Sequence, residues 1–108
     1  MNIEETMQND TCVVRVTGRL DAVTAPELDQ AVMKIIGQGK HKMAFDLTHL
    51  EYVSSAGLRT FLVVAKKLKG LNGELSLAGL QGNIKEVLEI SGFPSILPCY
   101  DSMDDLPA

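Results

Sequence analysis

The run Met43-Ala44-Phe45-Asp46-Leu47, apolar but for one carboxylate, restricts this chain more than any other stretch. A strand apolar on both sides needs cover on both faces, which is the situation of a central strand in a parallel sheet. A brief connection follows, and then Ser54-Ser55-Ala56-Gly57 opens a segment with helical spacing. Leu58, Phe61, Leu62, Ala65 and Leu68 form its expected buried face. Strand, turn and amphipathic helix in this order imply an α/β domain.

The flanking segments agree. Ile3–Met7 and Thr11–Thr17 read as two strands around the turn residues Gln8-Asn9-Asp10, which makes an antiparallel hairpin. Gly18 and the polar residues after it are expected to end the second strand. Thr24 is the expected N-cap of the first helix, with Glu27 completing a capping box and Pro26 in the first turn. Leu28, Ala31, Val32, Ile35 and Ile36 supply its apolar face, and Gly37-Gln38-Gly39 stops it. The second helix ends near Gly70 or at Asn72-Gly73. Glu74–Ala78 alternates as a strand does, and Asn83 caps a short third helix that Gly92 and Pro94 terminate. Ser95-Ile96-Leu97 reads as a last strand, and Asp101–Leu106 as a final helical turn or a frayed end. The expected order is β-β-α-β-α-β-α-β: a mixed, largely parallel sheet with an N-terminal antiparallel hairpin and helices packed on the sheet. With 108 residues and no linker or repeat, residues 1–108 read as one domain.

Composition removes several function classes. The net charge of −4 and the scarcity of aromatic residues argue against nucleic-acid binding. Lys66, Lys67 and Lys69 form the one basic cluster, at a helix C-terminus where cations complement the dipole. No run approaches the ~20 apolar residues of a membrane span. Glu4 and Glu5 stand where a secretory signal has bases, so a cytoplasmic protein without membrane attachment is expected. Cys12 and Cys99 have no neighbouring cysteine or histidine with metal spacing and read as reduced thiols.

Candidate chemistry centres on the serines. A hydroxyl at a helix N-terminus lies among unpaired N–H groups at the positive end of the dipole, which suits an oxyanion such as phosphate. Serine is equally a common N-cap, and local sequence alone reads the position that way. A nucleophile elbow would need glycine where Val53 stands, and His49 lies on the wrong side of the serine for an α/β-hydrolase. Gly37-Gln38-Gly39-Lys40 lacks the spacing and the hydroxyl residue of a phosphate loop. Asp46 resembles a phosphoacceptor aspartate at a strand end, but the acidic partners and the lysine of such a site are missing. Asp21, after the second strand, reads locally as a turn carboxylate bonded to backbone N–H groups.

Taken together, Gly18-Arg19-Leu20-Asp21, Phe45-Asp46-Leu47 and Tyr52-Val53-Ser54-Ser55-Ala56-Gly57-Leu58-Arg59 resemble the STAS domain, in particular the stand-alone bacterial anti-sigma factor antagonists. The resemblance runs over essentially the whole chain, including Ser91-Gly92-Phe93. It implies that Ser55 is a phosphorylated serine, with Ser54 the alternative acceptor. Ser54 stands where the family often has Asp, and Ala56 where it often has Ser or Thr. It also implies a partner-binding surface of Asp21, Ser54, Ser55, Ala56, Gly57 and Arg59. The implied partners are an anti-sigma factor that is also a serine kinase, and a serine phosphatase. The unmodified form would bind the kinase and release a sigma factor, and phosphorylation would end the interaction. ATP belongs to the kinase, so the chain itself is expected to be no enzyme, to need no cofactor or metal, and to be a monomer when free. The other role open to the family is a scaffold subunit of a lipid-transport ATPase complex, without phosphorylation.

Overall fold

The computed structural model describes residues 1–107. Its elements in chain order are β1 (Asn2–Gln8), β2 (Thr11–Leu20), α1 (Ala25–Gly37), β3 (Lys42–Asp46), β4 (Leu50–Val53), α2 (Ser55–Gly70), β5 (Glu74–Ala78), α3 (Gly82–Ile90) and β6 (Cys99–Tyr100). Two 3₁₀ turns, Phe93–Ser95 and Met103–Asp105, flank β6. The sheet order is β1-β2-β3-β5-β6, with β4 beside β2. Only β1 is antiparallel to its neighbour; the remaining pairs are parallel. The expected mixed sheet with an N-terminal hairpin is therefore present.

The core follows from alternation along the strands. Cys12, Val14, Val16, Met43, Phe45, Leu75 and Leu77 point to one side of the sheet and join Leu28, Val32, Phe61, Val64, Leu68, Ile84 and Leu88 from the helices. Phe61 stands between Phe45 and Phe93, with ring centroids at 5.5 and 6.2 Å. Small residues take the opposite side: Val13, Ala44 and Ala78 are buried there outside the main cluster. Met103 of the last 3₁₀ turn lines a recess on this side with Val13, Arg15 and Asp46.

Several elements differ from expectation. Gly18 does not end β2. It adopts φ +99° and forms an irregularity between Gly18 and Arg19, after which β2 continues to Leu20 beside β4. Strand β4 itself occupies the stretch expected to be a mere connection. Thr24 makes no side-chain cap; its hydroxyl donates instead to Arg19 O at 2.8 Å. Helix α3 starts at Gly82 with Gln81 as N-cap, two residues before the expected Asn83 cap. The last strand is Cys99–Tyr100, because Phe93-Pro94-Ser95 winds into a 3₁₀ turn and delays it. On α2 the buried positions are Gly57, Thr60, Phe61, Val64 and Leu68, while Leu62 is exposed. The helix is rotated so that Val64 rather than Leu62 meets the sheet.

Asp46 ends β3 almost fully buried. Burial by itself raises its pKa, but Thr48 Oγ1 at 2.6 Å, Thr48 N at 3.0 Å and Arg15 Nε at 3.2 Å outweigh that and hold the carboxyl below its ordinary range. A lowered folded value means that the ionised form stabilises the fold. That contribution is complete above the unfolded carboxylate pKa of about 3.9 and disappears as pH falls through the lower folded value. Urea unfolding of Asp46→Asn should therefore show a flatter acid limb than the parent below about pH 4. An unchanged slope would mean that other carboxylates carry the acid sensitivity.

Candidate functional site

The site is a strand-to-helix junction, and the pairing of β4 with β2 builds it. Leu20 stands opposite Val53, and the next residue, Ser54, donates its N–H to Leu20 O at 2.9 Å. The sheet thus holds Ser54 in an extended conformation (φ −96°, ψ 176°) immediately before α2 begins. Ser54 O accepts the N–H of Leu58 at 2.9 Å, and Ser54 Oγ accepts the N–H of Gly57 at 3.4 Å. Ser54 is the N-cap. Its hydroxyl is engaged and the residue is half-buried.

Ser55 is the first residue of α2 and is exposed. Its hydroxyl makes no hydrogen bond among the described residues. The first N–H groups of α2 and the positive end of its dipole lie at this position. The two adjacent serines therefore differ physically: one closes the helix, the other is displayed on it.

Gly57 explains how the junction stays compact. A Cβ there would lie 2.8 Å from both Leu20 Cγ and Val53 Cγ2. Those side chains, from the paired ends of β2 and β4, occupy the space that any larger residue would need. Ala56 is half-buried and Arg59 is exposed one turn beyond Ser55, on the same helix face.

Asp21 follows Leu20 directly, so the same pairing brings it beside Ser54. Its Oδ1 accepts the N–H groups of Val23 at 3.0 Å and Thr24 at 3.1 Å, and its own N–H donates to Thr24 Oγ1 at 2.9 Å. The Thr24 N–H foremost, with that of Val23, keeps the carboxyl below its ordinary pKa. Asp21 is thus a turn carboxylate, as its local sequence suggests, and it fixes the loop next to the serines. Arg19 and Tyr52, outside the surface expected from the sequence, are partners across β2 and β4. The Arg19 guanidinium lies 4.3 Å from the Tyr52 ring centroid and flanks the junction. The pair exists only because β4 lies beside β2.

The arrangement displays one free hydroxyl, that of Ser55, at the start of α2. No base has a hydrogen bond to Ser55, and among the described residues no three His, Cys, Asp or Glu side chains converge as metal ligands. No helix among them is long and apolar enough to cross a membrane. Fold and site together define a small α/β domain that presents a serine at a helix N-terminus.

Comparison with known proteins gives the family. The model of the STAS domain matches residues 2–106, and the chain belongs to that family. A protein of Bordetella bronchiseptica named as a candidate anti-sigma factor antagonist, BtrV, is 40% identical over 81% of this chain and 75% of its own length. The crystal structure of an anti-sigma factor antagonist from Mycobacterium paratuberculosis superposes with a TM-score of 0.88 at 25% identity, covering 96% of this chain and 88% of that one. SpoIIAA, a Bacillus cell fate determinant solved in its phosphorylated form, shares the fold at a TM-score of 0.70 and 20% identity, over 91% of this chain and 90% of that one.

Proposed function

We propose that this chain is an anti-sigma factor antagonist, a single STAS domain that works in the cytoplasm as a ligand and a substrate rather than as an enzyme. Unmodified, it binds an anti-sigma factor that is also a serine kinase, and so frees a sigma factor. The kinase transfers phosphate from ATP to Ser55, the complex dissociates, and a serine phosphatase resets the switch. Asp21, Ser54, Ala56, Gly57 and Arg59 form the surface around the acceptor.

One observation carries this reading. Ser55 is exposed at the first position of α2, whereas Ser54 spends its hydroxyl on the helix cap. That difference favours Ser55 over Ser54 as the acceptor. The family match and the names of the relatives supply the class of partner.

Incubation with the cognate kinase and ATP, followed by peptide mass spectrometry, tests the assignment. The expected result is one phosphate on Ser55, retained in Ser54→Ala and absent from Ser55→Ala. Labelling that persists unchanged in Ser55→Ala would remove the proposed acceptor.

A further inference from the structure

The second half of α2 borders a groove that the proposed switch does not use. Its volume is about 700 Å³. Strand β6 is only two residues long and meets β5 at Leu77 and Ala78, so the start of β5 has no strand on that side. The groove lies over this gap. Leu75 and Leu97, both nearly buried, belong to its lining, while Leu62, Val63 and Ile96 are 39%, 47% and 56% exposed. The rotation of α2 that buries Val64 leaves Leu62 and Val63 to the groove.

Two cations also line it. Lys66 and Lys69, one helical turn apart on the same face, border the groove, whereas the adjacent Lys67 does not. Among the described residues neither lysine forms an ion pair. Glu74 is the only acidic residue of the lining. In a chain of net charge −4, this is a local apolar slot whose lining carries two cations against one anion.

We propose that the groove binds a single-chain fatty acid, its hydrocarbon tail on the aliphatic lining and its carboxylate at Lys66 and Lys69. Charge selects the anion, the aliphatic lining selects a hydrocarbon tail, and the volume is within that of ordinary small-molecule sites, about 300–1,000 Å³. Ser55 is at the other end of α2 and does not line the groove.

Titration of the isotope-labelled full chain with sodium laurate below its micelle concentration, followed by amide NMR shifts, is the test. Saturable shifts should centre on Leu62, Val63, Leu75, Ile96 and Leu97. The double variant Lys66→Glu/Lys69→Glu should bind laurate at least tenfold more weakly, and Lys67→Glu within about twofold of the parent. Dodecyltrimethylammonium, with the same tail and the opposite charge, should bind the parent more weakly than laurate does. Absence of saturation, equal binding of the cationic amphiphile, or an equal loss in Lys67→Glu would overturn the proposal. So would silence toward laurate with binding of a Leu/Glu amphipathic peptide at the same amides, which would assign the groove to a protein partner. Since no kinase enters the experiment, failure here leaves the Ser55 assignment untouched.

Discussion

Phosphorylated at Ser55, the protein is expected to lose nearly a thousandfold in affinity for its anti-sigma factor while its thermal midpoint stays within a few degrees of the unmodified form. The two effects separate because the same group meets two environments. Phosphate adds about −1.5 to −2 charges at neutral pH. On the free domain that charge sits at the start of α2, where the dipole favours an anion by roughly 0.3–1 kcal/mol. Ser55 is exposed, so no core packing is disturbed. In an interface fitted to a small hydroxyl, the added charge must be desolvated without a partner. A penalty of about 4 kcal/mol, within the range for unpaired interfacial charge, corresponds to the thousandfold loss. Calorimetric titration of both forms, with a thermal melt of each, measures both halves. A phosphorylated form that binds equally well would sink the switch, and one that unfolds would replace it with a stability mechanism.

The second large effect is expected at Gly79. Gly79→Ala should destabilise the fold by about 3 kcal/mol or more in urea unfolding, a substantial fraction of the ~5–15 kcal/mol typical of a domain. Gly79 follows β5 with φ +78°, a conformation that costs an alanine roughly 1–2 kcal/mol. Its Cβ would also run into the Thr48 hydroxyl, and would lie 2.8 Å from Thr48 N and 3.1 Å from Asp46 Oδ1. Thr48 could not keep both of its bonds to Asp46, and a buried carboxylate left short of donors costs about 1–3 kcal/mol more. Gly39→Ala is the matched control. Gly39 has φ +88° and open space around its Cβ position, so only the backbone cost applies. Equal losses in the two variants would show that Thr48 shifts freely and that the Asp46 bonds matter little.

Much of this arrangement was legible in the residues. The apolar run of β3, the hairpin turn at Asn9 and the periodic face of α1 depend on local chemistry, and they stand close to where that chemistry puts them. So does the start of α2, because a serine before a small-residue helix is a strong local signal. What was not legible is long-range. Leu50-Glu51-Tyr52-Val53 is a strand only because β2 runs on past Gly18 to meet it, and neither half announces the other. Without β4, only the family resemblance places Asp21 beside the serines, and Arg19–Tyr52 has no visible reason to pair. Thr24 had the right identity for a cap, but Arg19 O competed for its hydroxyl. The rotation of α2 was ambiguous for a similar reason. Leu62, Val63 and Val64 are consecutive and apolar, so spacing alone did not choose which would face the sheet.

The bond from Ser54 to Leu20 has a consequence for timing. The residue just before the proposed acceptor Ser55 is held to the sheet in advance, so the hydroxyl is already displayed when a visitor arrives. In the proposed circuit the domain therefore adds no delay of its own. How quickly a cell could turn its transcription on and off would be governed by the turnover and abundance of the two opposing enzymes.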